Sequence, residues 1–296
     1  MDSIEVLAPS LMEELPELLG EMRSVVGELP VARGWHYYMD LCWAARVLDP
    51  EPGMRVLDAG GGNGVMQWWL ARRGARVLSV DLGGWPYEGK HFDGWCERSR
   101  WGEEPSRRAL TARDLLPPRR FWSPPEWVEK AKRTRRLIRP SPPRYSGSIV
   151  FWQHDLRHLS ELETGSIDAI VSISALEHNE LGDLQAIVRE LERVLKPGGK
   201  LAITVGGARN EDWFHDPSKG WCYTEKTLRE VFGLDAYETN FARYDEIMED
   251  LLHCGELKED LPEFYFASGD NGMPWGRWDP QYPAVGVCKT KPQPAP

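Results

Sequence analysis

The chain has no apolar run that approaches the roughly 18 residues needed to cross a membrane. Its first ten residues also lack the basic segment followed by an apolar one that is typical of a secretion signal. We therefore expect a soluble protein of the cytoplasm, with no membrane among its partners. Hydrophobic residues still make up 41% of the 296 positions, which is enough for the core of one α/β domain with elaborations.

Cysteine is scarce and scattered, with five residues in the whole chain. They form no Cys-x-x-Cys pair and no spacing typical of zinc, so we expect no metal site. An odd, dispersed set is typical of reduced thiols in a cytoplasm. The net charge of −10 argues against a general nucleic-acid binder, so nucleic acid is not an expected partner.

Two nucleotide-binding motifs are also absent from the glycine-rich stretch at 60–64. A dinucleotide fingerprint Gly-x-Gly-x-x-Gly would need its third glycine at position 65 or 67, where Val65 and Gln67 stand. A phosphate-binding P-loop would continue as Gly-Lys-Ser or Gly-Lys-Thr, but Val65 and Met66 follow Gly64. We therefore expect the stretch at 60–64 to bind a ligand other than a dinucleotide or the phosphates of a P-loop.

What is present is an apolar strand at 56–57 that ends in Asp58-x-Gly60-x-Gly62-x-Gly64. The glycines remove β-carbons and permit positive φ where a ligand lies beyond the carboxyl end of a strand. An acid at the strand tip repels a pyrophosphate and suits a cationic ligand. In this pattern the chain resembles the class I S-adenosylmethionine-dependent methyltransferases, although the turn could also be purely structural.

Further segments fit that resemblance in chain order. A helix is predicted over 63–73, ended by Gly74, and then a strand at 75–80 that ends at Asp81. A third strand at 148–153 leads to His154-Asp155-Leu156, and a fourth at 167–173 leads to Ser174. A helix over 183–195 and the turn 196–199 precede a strand at 200–205.

The resemblance implies a Rossmann-like, doubly wound α/β fold with a mostly parallel seven-stranded sheet whose last strand is antiparallel. The segments 237–244 and 284–290 are candidates for strands six and seven. The Tyr-Thr-x-x-x-Leu pattern at 223–228, where a helix start at Thr224 is plausible on its sequence, resembles the small-molecule branch of the superfamily.

The resemblance also implies S-adenosylmethionine as cofactor and a set of binding residues. Asp81 would accept both ribose hydroxyls, Asp155 would receive the adenine amino group, and the backbone of Leu156 would meet the ring. Asp81 could instead cap a turn, and Asp155 could be a helix N-cap. The complete predicted set is Tyr37, Asp58, Gly60, Gly62, Gly64, Asp81, Leu82, Asp155, Leu156 and Ser174.

A catalytic base is needed if the acceptor is a hydroxyl, and histidine has a suitable ordinary pKa of roughly 6.5. The candidates are His178, after the fourth strand, and His215, after the fifth, with His36 as a third. A structural role is open for each of them. Neither a Pro-Cys pair nor an Asn-Pro-Pro-Tyr-like tetrapeptide is present, which disfavours catalytic cysteine and the nucleic-acid amine methylases.

Two elaborations flank this pattern. We expect residues 1–50 to form a helical cap, with helices over 11–26 and 35–48, and residues 51–296 to form the methyltransferase domain. Residues 83–145 form a predicted insertion with 15 Lys and Arg against 8 Asp and Glu, containing a short helix near 105–115 and a basic one near 125–138. The insertion is either a lid or docking surface for an anionic substrate, or a solvated element packed on the domain.

Three functions follow from the sequence. The first is methyl transfer to oxygen or nitrogen of a small or medium-sized metabolite, an anionic one among the candidates. The second is methylation of RNA or protein docked by the basic insertion. The third is a non-catalytic module that keeps the cofactor pocket. The acceptor and the oligomeric state are not determined by the sequence, because fold does not imply substrate.

Overall fold

A computed structural model describes residues 1–29, 34–83, 94–102, 143–259 and 278–293. Within these residues no helix is long and apolar enough to cross a membrane. The helices predicted near 105–115 and 125–138 lie outside the described residues.

The described residues contain eleven β-strands. Their bounds are β1 Ser3–Val6, β2 Arg55–Ala59, β3 Arg76–Asp81, β4 Glu97–Arg100, β5 Ser148–Gln153, β6 Ile167–Ile173, β7 Leu195–Gly207, β8 Trp213–His215, β9 Gly220–Tyr223, β10 Glu238–Thr239 and β11 Ala284–Thr290.

Seven α-helices lie between these strands in the described residues. Their bounds are α1 Ser10–Glu14, α2 Pro16–Glu28, α3 Tyr37–Leu48, α4 Met66–Arg72, α5 Leu181–Val194, α6 Glu225–Phe232 and α7 Tyr244–His253. The helix predicted over 11–26 is divided in two, because Pro16 occupies the first turn of α2, where a missing N–H costs nothing. Thr224 caps α6 by accepting a hydrogen bond from the Thr227 N–H at 3.3 Å.

The strands form one sheet in the order β10-β1-β11-β7-β6-β2-β3-β5-β4, with the β8–β9 hairpin attached to β7. Along this order β11 alone runs antiparallel to its two neighbours. The predicted Rossmann-like, mostly parallel sheet with an antiparallel last strand is therefore confirmed. The sheet has more than the seven predicted strands. One of the additional strands, β4, comes from the predicted insertion and extends the edge beside β5.

The prediction of strand six at 237–244 was wrong. Only Glu238–Thr239 forms a strand there, and β1 lies between it and β11. The side chain of Asn240 holds β1 in place: its Oδ1 accepts from the Val6 N–H at 2.7 Å, and its Nδ2 donates to the Val6 carbonyl at 2.9 Å. Residues 1–50 thus contribute a sheet strand as well as three helices, while the domain boundary at 50 stays a prediction.

Helix α3 positions the functional residues at its start. Nine of its twelve residues are buried, because the helix packs on the sheet through a nearly continuous apolar surface. Trp43 lies flat against β11 at Gly286, where a β-carbon would come within 2.5 Å of the indole ring. This close packing fixes the first turn of α3 beside the carboxyl ends of β2 and β6.

Candidate cofactor and active site

A cavity of about 140 Å³ lies beyond the carboxyl ends of β2 and β6. Its walls are the loop after β2, the first residues of α4, the end of β6 and one side of α3. The side chains and backbone that line it belong to Tyr37, Leu41, Asp58, Gly60, Gly61, Gly62, Asn63, Gly64, Val65, Met66, Ile173 and Ser174. The structure thus brings together Tyr37, Asp58, the three glycines and Ser174 of the predicted set.

The glycine loop is compressed between two strands. Gly60 has φ +74°, and a β-carbon there would lie 2.5 Å from that of Ala175. A β-carbon on Gly61 would collide with the Ser79 hydroxyl and the Asp58 carboxylate. Gln67 fixes the turn from the helix side, since its Nε2 donates to the carbonyls of Gly62 at 3.1 Å and Gly64 at 3.2 Å. In the sequence analysis Gln67 mattered only because it stands where a dinucleotide fingerprint would have its third glycine.

Asp58 gives the cavity its charge preference. Its side chain is buried, and its Oδ2 has no hydrogen-bond partner in the described part of the chain. Burial, with a smaller contribution from the negative charge of Asp81, raises the pKa of Asp58 to about 7. A buried carboxylate oxygen without a partner is costly, and a cation or a proton donor in the cavity would offset that cost. Asp58 therefore fits a positively charged cofactor.

Asp81 and Leu82 lie at the adjoining strand end. The Oδ1 of Asp81 accepts from the Gly83 N–H at 2.7 Å, while its Oδ2 faces Gly62 across the loop. Leu82 is 66% exposed, an unusual state for leucine beside a buried sheet. An acid followed by an exposed apolar side chain offers one surface for hydroxyls and one for the face of a ring.

Asp155 makes different contacts from those that the sequence predicts. Its Oδ1 accepts from the backbone N–H and the Nε of Arg157 at 2.9 and 3.0 Å, and its Oδ2 accepts from Nε and Nη2 at 3.0 and 2.7 Å. These contacts, led by the side-chain hydrogen bond from Arg157, lower the pKa of Asp155 to about 2. Because a carboxylate has about four acceptor positions, an adenine amino group would have to displace Arg157. Leu156 is buried beside it.

Ser174 connects the cavity to a buried acid that the sequence analysis missed. Ser174 adopts φ +45°, and its hydroxyl donates to Glu177 Oε1 at 2.5 Å. Glu177 is buried and its Oε2 has no partner in the described residues. Burial raises the pKa of Glu177, although the neighbouring His178, Ser174 and His36 act in the opposite direction.

The two histidines predicted to be catalytic differ in their surroundings. His178 is exposed, and its Nδ1 lies 2.9 Å from the Lys219 carbonyl. His215 is buried, with Nδ1 2.8 Å from the Ser218 hydroxyl and its ring centre 5.1 Å from that of Tyr282. Burial lowers the pKa of His215, only partly opposed by Asp216.

The third candidate, His36, forms a buried pair with Asp40. Its Nδ1 lies 2.7 Å from Asp40 Oδ2, one helical turn along α3. Burial alone would lower the pKa of His36, but the charge and hydrogen bond of Asp40, with the charge of Glu177, raise it overall. The same two acids and Asp58 act, after burial, to raise the pKa of Tyr37. Three carboxylates therefore surround the tyrosine that lines the cavity.

Comparisons with known proteins agree with this geometry. The sequence profile of a family described as "Methyltransferase domain" matches residues 125–203. That match does not include the glycine loop, so the profile and the loop geometry are independent observations. The matched profile and the fold support the class I S-adenosylmethionine-dependent methyltransferase superfamily. S-adenosylmethionine is its cofactor, and the unpartnered acid of Asp58 beside a loop without β-carbons fits that group.

A curated relative is the ubiquinone biosynthesis O-methyltransferase of Xanthomonas oryzae pv. oryzae strain PXO99A. It is 28% identical over 152 residues, which cover 51% of this chain and 43% of the relative. The match thus spans less than half the length of that relative.

Two solved structures are similar to this chain. Phosphoethanolamine N-methyltransferase 2 of Haemonchus contortus, in complex with phosphomonomethylethanolamine and S-adenosylhomocysteine, is 15% identical with a TM-score of 0.51, covering 96% of this chain and 59% of that one. The [4+2]-cyclase SpnF is 17% identical with a TM-score of 0.49, covering 99% of both chains.

Proposed function

We propose that this protein transfers the methyl group of S-adenosylmethionine to an oxygen or nitrogen of a small or medium-sized metabolite. The observation that carries the proposal is the cavity beside the glycine loop, where Asp58 keeps a buried oxygen that has no hydrogen-bond partner in the described residues. When bound, the cofactor supplies a methyl group that its sulfonium charge has already activated. The chain then has to bind the cofactor and position an acceptor at about 3–3.5 Å in line with the methyl.

The described residues suggest a division of roles. The glycine loop and Asp58 would hold the charged end of the cofactor, Asp81 the ribose hydroxyls, and Leu82 one face of the adenine. Tyr37 and Ser174 would border the amino-acid end, since both line the cavity. The adenine contact of Asp155 stays a prediction that its ion pair with Arg157 argues against.

The acceptor class follows from the charge near the cavity. Asp40, Asp58 and Glu177 all act electrostatically on Tyr37, which lines the cavity. An anionic acceptor would be repelled by this set, which favours a neutral or positively charged one. The curated O-methyltransferase relative supports a small-molecule acceptor. The basic insertion invoked for RNA or protein docking lies mostly outside the described residues.

Calorimetry and a transfer assay test the proposal. We expect S-adenosylmethionine and S-adenosylhomocysteine to bind the purified full chain. Methyl-labelled cofactor should then label the small-molecule fraction of a cell extract and not its protein or RNA fractions. Label confined to macromolecules would overturn the acceptor class. Binding without transfer to any fraction would show a non-catalytic module, and no binding of either compound would refute the cofactor assignment.

A further inference from the structure

The His36–Asp40 pair has the geometry of an oriented proton acceptor. His36 is 5% exposed and Asp40 is fully buried, so the 2.7 Å contact between Nδ1 and Oδ2 fixes the imidazole ring. With its proton on Nδ1, the ring donates to Asp40 and presents Nε2 as the free acceptor. Among the described residues Nε2 has no hydrogen-bond partner of its own.

The pair lies next to a residue of the cavity wall. Tyr37, the next residue, lines the cavity, and the two ring centres are 6.2 Å apart. Glu177 is hydrogen-bonded to the cavity residue Ser174, and its charge acts on both His36 and Tyr37. His36 is therefore adjacent to a cavity residue and is influenced by two buried acids, Asp40 and Glu177.

Aromatic rings shield the pair from bulk water. Trp35 meets His36 edge to face with ring centres 4.9 Å apart, and Tyr282 does so at 6.1 Å. Both aromatic side chains are buried. A low-dielectric wall of this kind strengthens the interaction between an imidazolium and the Asp40 carboxylate.

We propose that His36 is the general base of the reaction, that Asp40 is its positioning residue, and that the acceptor is a hydroxyl. This inference rests on the proposed function. The hydroxyl gives its proton to His36 Nε2, its oxygen forms the new bond to the methyl carbon, and the electron pair of the broken carbon–sulfur bond stays on sulfur. The products are a methyl ether, S-adenosylhomocysteine and an imidazolium that later returns its proton to water.

Charge conservation supports this assignment. One positive charge is present before the step, on the sulfonium, and one after it, on His36. Asp40 and Glu177 flank the position where the charge develops, so the buried acids stabilise the product of proton transfer without moving. A neutral amine acceptor would need no such base, because its nitrogen already carries an available lone pair.

The other two histidines are weaker candidates for the same role. His178 has its Nδ1 on a backbone carbonyl and an exposed ring. His215 has a serine hydroxyl instead of a carboxylate on Nδ1, and burial lowers its pKa. Asp40, Glu177, Tyr37 and Tyr282 are the titratable groups that the described elements place around His36, and the two acids raise its pKa.

The first experiment needs no acceptor. The full chain is labelled with ¹³C,¹⁵N-histidine, the His36 signals are assigned by their loss in His36→Gln, and the ring is titrated by NMR with saturating S-adenosylmethionine or S-adenosylhomocysteine. The sulfonium charge should lower the His36 pKa by about one unit relative to the uncharged product, as a unit charge roughly 10 Å away does at an effective dielectric of about 20. Equal His36 pKa values in the two complexes would overturn the proposal.

The chain offers a matched control on α7. His253 also has an acid four residues away, Glu249, at 3.4 Å, but both side chains are exposed. The NMR signals of its ring should be the same in the two complexes. In Asp40→Asn the His36 pKa should fall, because the charge that raises it has been removed.

A second experiment measures transfer of the labelled methyl group to the metabolite fraction. His36→Gln should slow transfer by about 10²-fold or more while keeping the wild-type affinity for S-adenosylhomocysteine, and His253→Gln should behave as wild type. In Asp40→Asn the acid limb of the rate profile should move to lower pH. If His36→Gln does not fold, Asp40→Asn provides the test. An acid limb that stays at its wild-type pH in Asp40→Asn would contradict the assignment of His36 as the base.

The outcomes separate the two proposals. If the wild type transfers no label to any fraction, the proposed function fails. If the wild type transfers label and His36→Gln does so at the same rate, only the inference fails. Mass spectrometry of the labelled product should find the methyl on oxygen, and a methyl on nitrogen would overturn the hydroxyl acceptor.

Discussion

Gly60 lies directly against Ala175, so that a β-carbon added to Gly60 would come within 2.5 Å of the methyl group of Ala175. The first residue belongs to the loop after β2 and the second to the segment after β6. The two cavity walls are therefore in contact at this point, and a change at position 60 alters the shape of the whole cofactor site.

We expect Gly60→Ala to destabilise the chain by about 1–3 kcal/mol, because the variant adds an overpacked methyl group at φ +74°. Urea unfolding measures the loss, and calorimetry should show weakened cofactor binding. Gly20→Ala is the matched control: it lies in α2 with nothing within 4 Å of the new methyl and should stabilise by about 0.5–1 kcal/mol. Similar effects at both positions would contradict the close packing of the loop.

We expect Asp81→Ala to weaken the binding of S-adenosylhomocysteine by at least about tenfold. The reason is that hydrogen bonds to a charged acceptor contribute roughly 1.5–3 kcal/mol each. Calorimetry measures the change, with the exposed Asp235→Ala as control. Wild-type affinity in Asp81→Ala would show that the carboxylate does not contact the ribose and serves only to cap the turn at Gly83.

The raised pKa of Asp58 predicts a pH-dependent stability of the cofactor-free protein. Its pKa rises from 3.8 to about 7 on folding, so the folded chain keeps a proton that the unfolded chain releases. The stability that this proton provides is complete below about pH 4 and is lost as the pH rises towards 7. Asp58→Asn should therefore be more stable than wild type at pH 8, by about 3–4 kcal/mol from three units at about 1.36 kcal/mol each, and equal to it near pH 4.

Asp168 is a control whose pKa shift has the opposite sign. Burial alone would raise its pKa, but Lys196 and the Arg55 N–H outweigh burial and lower it. Asp168→Asn should therefore be less stable than wild type at pH 8, and this difference should shrink as the pH falls through the acid range. The stability from Asp168 is lost below its ordinary pKa of 3.8, so thermal melts of both variants should extend from about pH 2 to about pH 8. Parallel curves for the two variants would refute the difference in environment.

Asn240→Ala should destabilise the chain by about 1–3 kcal/mol, because it leaves the N–H and the carbonyl of Val6 without their partners. Urea unfolding measures the loss, and the exposed Asn210→Ala should have almost no effect. An unchanged free energy of unfolding in Asn240→Ala would mean that β1 is held by its backbone pairing alone.

The central strands could be predicted because each is a short apolar run bounded by glycine, proline or an acid. The runs predicted at 75–80, 148–153 and 167–173 agree with β3, β5 and β6, with β3 displaced by one residue. The position of β1 could not be predicted, because four residues at 3–6 give too short a pattern and their partners lie at 285–288. Without that pairing, the apolar residues near 237–244 were the nearest candidate for the sixth strand.

The site was predictable where backbone geometry demands particular residues. Gly60 and Asp58 satisfy such a demand, and the His36–Asp40 spacing of four on a predicted helix was a usable signal for their pair. Glu177 escaped notice because its neighbour His178 is the more usual acid–base residue, yet the short 3₁₀ turn buries Glu177 and exposes His178. No sequence pattern indicated that Arg157 would donate hydrogen bonds to both carboxylate oxygens of Asp155.

The pairing of Ile4 with Val287 joins two segments that are far apart in the sequence. Until β11 is available, the segment at 3–6 has no antiparallel neighbour, so this edge of the sheet stays open. Contacts this distant in sequence are slow to form. Refolding of the chain should accordingly end with the closure of this edge, long after the glycine loop has taken its shape.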